Sequence, residues 1–376
     1  MKTLKVGYVV SAALCGLSSM LAHAETTVSV DDVPVNLAFS GFVRADFGTG
    51  DRYPTGDGQE RFGSSKNLLL LSATTEDVQA ILDFGGTIFN DGINNGSVGI
   101  KDAFIVVGAN NKTGFSWSVG AQPLLFGLHP NGYPGDSSLQ ANIDYGADGG
   151  FAVSQQAGPA IIGNYRFTTD ESLRFGAFDL AESNSTNVTT ATNGSKIKDN
   201  LFLLWRGANI GNTGIYATAG AERIYVGLAG GPIGGVGPLV DGTKTIFSGG
   251  VGFKNDFLNA SVEYIHLDAN IVDTGSDERY IRAHVDVSPA PHWTAYADYS
   301  NGHELGASTY RIGGAWQFRK HLGFTAEYSK DVYSSTNDLY AGNPYSGITG
   351  AAPAFVYGTT QPQNVESVDL RLTFTF

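Results

Sequence analysis

Four arginines, Arg44, Arg282, Arg311 and Arg371, sit in stretches where polar and apolar residues alternate. Three acids, Asp136, Asp144 and Asp148, share the stretch Pro123 to Asp148 with His129 and with no Lys or Arg. Guanidinium groups facing carboxylates across a water-filled gap can replace part of a small solute's hydration shell and turn its dipole. That is recognition and orientation, with no bond made or broken. The constellations that make and break bonds are missing: there is no Gly-X-Ser-X-Gly elbow and no His-Glu-X-X-His, and the seven histidines are scattered. His129 has no partner at metal-ligand spacing, and Gly227 to Pro238 is glycine-rich without the Lys-Ser/Thr ending of a phosphate loop. No enzymatic activity, metal or cofactor is expected.

What such groups can do depends on the elements that hold them, and composition narrows the choice. The 376 residues include 50 Gly, 42% hydrophobic and only 16% charged residues, with a formal net charge of -13. Glycine is well above and charge well below the average for globular chains. The acidic balance argues against nucleic acid, which needs a basic face. So much apolar and aromatic surface argues against disorder. Past residue 24 no run approaches the roughly 18 apolar residues of a spanning helix.

The first 24 residues read as a cleaved export signal. Lys2 and Lys5 precede an apolar run from Val6 to Leu21, and Ala22-His23-Ala24 offers small residues before a cut at Glu25. Cys15 follows Leu14 rather than the small residue a lipoprotein signal wants, so it is not taken as a lipid anchor. It is the only cysteine, so residues 25–376 must be held without a disulfide.

Alternation along residues 25–376 supplies the alternative. A strand with hydrocarbon on one face and water on the other reads with period two over about ten residues. From Val35 to Phe47, Val35, Leu37, Phe39, Val43 and Phe47 alternate with Asn36, Ser40, Arg44 and Asp46. At the C-terminus Val368, Leu370, Leu372, Phe374 and Phe376 alternate with Asp369, Arg371, Thr373 and Thr375. Fourteen similar segments lie between: 66–74, 77–88, 99–109, 114–122, 149–167, 172–180, 199–208, 213–224, 245–254, 256–267, 278–287, 292–300, 308–318 and 321–329. The resulting sixteen is even, as single-chain bacterial barrels require. Segment 149–167 is read as one strand with a bulge at Ala157-Gly158-Pro159. Joints such as 74–77, 110–113 and 318–321 are short and alternate with long polar stretches such as 48–65, 123–148 and 330–364. Trp117, Trp205, Trp293 and Trp316 fall on the apolar parity, where a membrane interface wants them. The fold expected is all-β: one transmembrane antiparallel β-barrel of about sixteen strands over residues 25–376.

An exported chain of sixteen such strands, ending on Leu370-Arg371-Leu372-Thr373-Phe374-Thr375-Phe376 and carrying a long loop after its fifth strand, resembles a Gram-negative outer-membrane porin. The resemblance covers 25–376 in pattern. It implies a multi-pass barrel in outer-membrane lipid, a homotrimer, assembly by machinery that reads the strand ending in Phe376, and a third outside loop folded into the lumen. That loop would be Pro123 to Asp148, bringing His129, Asp136, Asp144 and Asp148 to a constriction opposite Arg44, Arg282, Arg311 and Arg371. Small hydrophilic solutes would pass passively, with a mild cation preference from the acidic excess.

Two other readings remain open at this stage. A substrate-selective pore for sugars would need aromatic faces along the lumen, and Phe42, Phe104, Phe178, Tyr280 and Tyr296 lie on the inward parity. One for oxyanions would build on the four arginines. A barrel that does not conduct, serving as an adhesin or receptor, would use the aromatic stretch 331–364 as a sticky surface.

Overall fold

Chains that alternate apolar and polar side chains satisfy their backbone in a membrane only by pairing into a sheet that closes on itself. In the computed structural model of the chain, described for residues 25–30, 33–50, 60–89, 97–123, 127–128, 157–178, 200–228, 240–270, 278–302, 307–333 and 364–376, this is what forms. The strands are β1 (Glu25–Val30), β2 (Val33–Gly50), β3 (Glu60–Thr74), β4 (Val78–Phe89), β5 (Ser97–Val107), β6 (Gly114–Pro123), β7 (Ala157–Arg166), β8 (Glu171–Phe178) and β9 (Leu201–Ile210). They continue as β10 (Ile215–Leu228), β11 (Val240–Lys254), β12 (Leu258–Asn270), β13 (Glu278–Ala290), β14 (Trp293–Gly302), β15 (Ala307–Arg319), β16 (Leu322–Tyr333) and β17 (Asn364–Thr375).

Each strand from β2 to β17 pairs antiparallel with its successor, and β17 pairs with β2, as in Arg371↔Asp46 and Phe374↔Val43. The ring therefore has sixteen strands and no open edge. The last residue completes the seam: Gly41 N donates to Phe376 O at 2.9 Å, and Phe376 N donates to Gly41 O at 3.0 Å. A Cβ on Gly41 would run into the carbonyl oxygen of Leu68 on β3 and stand 3.0 Å from the Phe376 ring. Glycine here lets three strands meet around the terminal phenylalanine.

The two faces differ as their sequence parity demands. Ile312 is 61% exposed and Arg311 beside it 5%; Val43 is 53% exposed and Arg44 7%. Exposed apolar residues also mark the outside of β5, β6, β9 and β13, through Ile105, Trp117, Leu203 and Ile281. Stacked Trp293 and Trp316, with ring centroids 5.1 Å apart, sit near one end of β14 and β15, and Tyr299 and Tyr310, also 5.1 Å apart, stand toward the other. Two aromatic levels on one outward face are the girdles of a bilayer.

The short joints are tight. In the β9–β10 turn, Asn209 Oδ1 accepts the Gly214 N–H at 2.9 Å, and Asn212 takes a positive φ of 57°, a conformation asparagine tolerates. In the β11–β12 turn, Asn255 Oδ1 accepts from the N–H groups of Phe257 and Leu258.

Two expectations need correction. Residues 25–30 form an extra strand, β1, hairpinned onto β2 with Glu25↔Ala38 and Val30↔Val33. Residues 36–38 of β2 pair with β1 and β3 at once, so β1 takes the edge that β17 uses further along. The strand expected over 149–167 is described only as β7. No bulge occurs at Ala157-Gly158-Pro159, because the register from Pro123↔Ala157 to Gly114↔Arg166 runs without a shift. Pro159 needs no bulge, since the pairing of β7 with β8 begins only at Ala160.

Candidate functional site: the inner wall of the barrel

Register turns the inward residues of neighbouring strands into rows. One row runs Arg206, Thr218, Gly250, Glu263, Arg282 and Ser300 from β9 to β14. The next runs Ser261, His284, Asp298, Arg311, Ser329 and Ser367 from β12 to β17. A third runs Asn259, Asp286, Tyr296, Gly313, Glu327 and Asp369. Beyond it Thr325 pairs with Arg371 and Arg371 with Asp46. Opposite charges thus face each other across the sheet at Glu263 and Arg282 and at Asp298 and Arg311, whereas the third row sets two carboxylates, Glu327 and Asp369, side by side.

Hydrogen bonds knit these rows together. Tyr216 OH donates to Asn259 Oδ1 at 2.7 Å, and Asn259 Nδ2 donates to Asp286 Oδ2 at 2.7 Å. His284 meets Asp286 Oδ2 through Nε2 at 2.9 Å and Asp298 Oδ1 through Nδ1. Tyr296 OH donates to Glu327 Oε2 at 2.7 Å, the Ser329 and Ser367 hydroxyls are 2.7 Å apart, and Ser367 Oγ donates to Asp369 Oδ2 at 3.3 Å. Three groups of such contacts, over β10 to β14, β14 to β16 and β16 to β17, hold charged side chains in fixed directions.

The inner wall is not uniform. On β7 to β9, β11 and β12 it carries buried apolar residues, Ile162, Phe178, Phe202, Leu204, Ile246 and Ile265. Against this sector stand Gly127 and Leu128, four and five residues beyond the end of β6. Leu128 N donates to Glu263 Oε1 at 2.8 Å, and Arg206 Nη2 donates to Gly127 O at 3.3 Å.

The residues expected from sequence fall as follows. Arg44, Arg311 and Arg371 are buried on the inward parity, and Arg282 stands 3.9 Å from Glu263 through Nη1. They belong to different rows rather than to one ring. Arg44 lies over the Phe42 ring, its Cζ 4.1 Å from the centroid, where the β2–β3 register shifts between Phe42 and Asp46. A shift of that kind re-aims side chains. Of the inward aromatics, Phe178 and Tyr296 are buried, Phe104 is half-buried, and the Tyr280 side chain lies outside the described residues. A buried ring, with its hydroxyl held in the case of Tyr296, offers no face for a solute to stack on. Trp117, Trp293 and Trp316 are exposed on the outside, and Trp205 is half-buried there. His129, Asp136, Asp144 and Asp148 lie outside the described residues.

Sequence reasoning passed over Arg174, Arg206, Glu263, His284 and the register-paired acids Asp83 and Asp102. Their parity marked them as inward. What it lacked was the stagger between strands that makes Glu263 face Arg282 and His284 face Asp298.

No protein-family model matches the sequence, and no curated protein matches it. Solved structures do match in fold. OmpF of Salmonella typhi, in complex with daunomycin, aligns with a TM-score of 0.64 at 12% identity, covering 93% of this chain and 100% of that one. OmpT, an outer-membrane protein of Vibrio cholerae in trimer form, aligns with a TM-score of 0.60 at 13% identity, covering 91% and 99%. A triple mutant of the Rhodopseudomonas blastica porin aligns with a TM-score of 0.52 at 16% identity, covering 90% and 100%. With its closed ring of sixteen antiparallel strands, apolar outside and charged within, the chain has the fold of the outer-membrane porins.

Proposed function

We propose that the chain is an outer-membrane porin: a water-filled, passive channel for small hydrophilic solutes, mildly cation-preferring and without enzymatic activity. The observation that carries this reading is the contrast between neighbours on one strand, such as lipid-facing Ile312 and inward Arg311. An inner wall of arginines, acids and hydroxyls is sustainable where water or paired charges meet it, and costly where apolar atoms do. Among the described buried side chains, the acids Asp83, Asp102, Glu222, Glu263, Asp286, Asp298, Glu327 and Asp369 outnumber the arginines Arg44, Arg311 and Arg371. An acidic lumen raises the local concentration of cations. The N-terminal signal pattern agrees with export, and the seat of Phe376 agrees with assembly from the C-terminal strand.

Association as a homotrimer completes the reading. Tyr and Trp anchor a barrel to the bilayer interfaces. The neighbouring strands β17, β2, β3, β4 and β5 contain neither, whereas elsewhere in the ring the strands without an outward Tyr or Trp, β8, β11 and β13, stand singly. A sector without interface anchors suits contact with other copies better than contact with lipid.

The reading is tested by liposome swelling with the purified protein. Uptake should slow as sugars grow larger, and a salt gradient across a planar bilayer should give a reversal potential of cation-selective sign. Failure to swell with any solute would overturn the channel, and anion selectivity would overturn the acidic-lumen argument. A second reading, an oxyanion-selective pore, is favoured by Arg174 and Arg206, which lie on adjacent strands and one inward step apart, with Arg174 opposite Leu204 and Arg206 opposite Ser172. Current block by millimolar phosphate would favour it over the first.

A further inference from the structure

The contacts of His284 call for a proton that a neutral ring does not carry. Asp286 and Asp298 approach the imidazole from two sides, at Nε2 over 2.9 Å and at Nδ1. A neutral imidazole has one N–H and one lone pair, so it donates to only one of two carboxylates. The direction of the neighbouring hydrogen bonds settles which. Tyr216 OH donates to Asn259 Oδ1, which turns the Asn259 amide toward Asp286 Oδ2 as a donor. Asp286 Oδ2 is thereby an acceptor, and His284 Nε2–H is its second donor. Nδ1 and Asp298 Oδ1 then face each other, and only a further proton turns that contact from opposed lone pairs into a hydrogen bond.

The setting favours that proton and leaves it a way out. The His284 side chain has no exposed surface, and Asp298 Oδ2 is buried without a hydrogen-bond partner among the described residues. A carboxylate so placed is costly unless its charge is balanced. On the strand of His284 itself stand Arg282 and Asp286, β12 presents Asn259, Ser261 and Glu263, and β14 presents Tyr296, Asp298 and Ser300. Tyr216 of β10 and Arg311 of β15 stand one contact further out. The acids Glu263, Asp286 and Asp298 thus meet the arginines Arg282 and Arg311, and an imidazolium at His284 brings the group to neutrality. The Asp286 and Asp298 side chains keep 11% and 7% of their surface exposed, which gives protons a path to and from the covered ring.

We propose that His284 and Asp298 hold one exchangeable proton in the lumen wall, and that its departure adds a negative charge that strengthens the pore's preference for cations. The proton site stands on the geometry of the wall; its effect on ions rests on the channel reading above. The proton lies along the line from Nδ1 to Oδ1 and leaves to water with no other bond broken. With it the surrounding charges cancel, and without it one negative charge is left over, so preference for cations rises as pH rises.

Two measurements on the full chain read the site separately. Nitrogen NMR of histidine-labelled, folded protein in detergent micelles reports the charge of the ring, with the His284 signals identified by their absence from His284→Gln. They should pass from imidazolium to neutral imidazole within about pH 5 to 11. The reversal potential under a salt gradient should show the cation-to-anion permeability ratio rising about twofold through the pH at which the ring titrates. Asp298→Asn offers an N–H that donates to Nδ1 and so does away with the need for the proton. The step at that pH should be missing from Asp298→Asn and from His284→Gln alike. Heat-modifiable migration in gels checks that each variant folds. A ring of unchanged charge over the whole range would overturn the proposal, as would a step that survives both substitutions or is absent from a conducting wild type. A ring that titrates as described in a folded protein that passes no current would overturn the channel reading, and with it the claim about ions, while upholding the proton site.

Discussion

Arg371 is 1% exposed, inward, and paired in register with Thr325 on one side and Asp46 on the other. Arg44 lies two residues along the neighbouring strand, opposite Thr373, so the β17–β2 seam carries two fixed positive charges close together. A unit charge is worth about 1 kcal/mol at 4 Å in water and roughly half that at 8 Å, still within a Debye length. Arg371→Gln and Arg44→Gln should each increase the cation-to-anion permeability ratio by about twofold, measured as a reversal potential under a salt gradient. An unchanged potential in both would remove these arginines from the field that solutes meet. Gly41 tests the same seam sterically. Gly41→Ala sets a methyl against the backbone of Leu68, which no rotamer relieves, and should weaken the two hydrogen bonds to Phe376. The expected loss is about 2 kcal/mol, seen as a lower denaturation midpoint of the folded form. A midpoint equal to wild type would show that the strands part easily there.

Strands were the most legible level of the sequence, for a physical reason. Each residue of a two-solvent strand reports its own side, so the Val368 to Phe376 alternation identified β17 without any partner being known. Strand β1 escaped because Glu25–Val30 is only six residues long and faces no second solvent of its own; its pairing with Val33–Ala38 is a hairpin added to the ring. Strand β7 was misread at its start because Gly158-Pro159 has the look of an interruption, whereas a proline on a one-sided stretch of strand costs no ladder bond. The wall network was legible in parity but not in contact. That His284 lies between Asp286 and Asp298 depends on the stagger of β13 against β14, which no local pattern carries. The two strands on β2's shared edge should therefore respond differently to truncation. Deleting 25–30 should leave a closed, heat-modifiable barrel, because β1 closes nothing. Deleting 371–376 should abolish the folded form in gels, because it reopens the β17–β2 seam. A closed barrel after the second deletion would contradict the ring described here.

At the scale of the whole molecule, the distribution of side chains around the ring divides it into sectors. Apolar residues line the inner wall over β7 to β9, β11 and β12, where Leu128 is packed, and charged rows cover it from β12 to β17. On the outside, Tyr and Trp anchors recur from β6 to β16 with gaps of one strand at a time, and β17 and β2 to β5 carry none. If that gap is where copies meet, Ala80→Arg or Leu82→Arg on the outward parity of β4 should convert an oligomer into folded monomers in detergent. The same change at Ile312, on the lipid-facing side of β15, should leave the oligomer in place. Equal behaviour of both sites would argue against the sector. None of this matters unless the two faces of one strand face lipid and water respectively. Current through single molecules in a planar lipid bilayer asks this most directly: the purified, folded protein should add conductance in uniform steps that scale with salt concentration, and a folded protein that inserts but leaves the bilayer insulating would contradict the account.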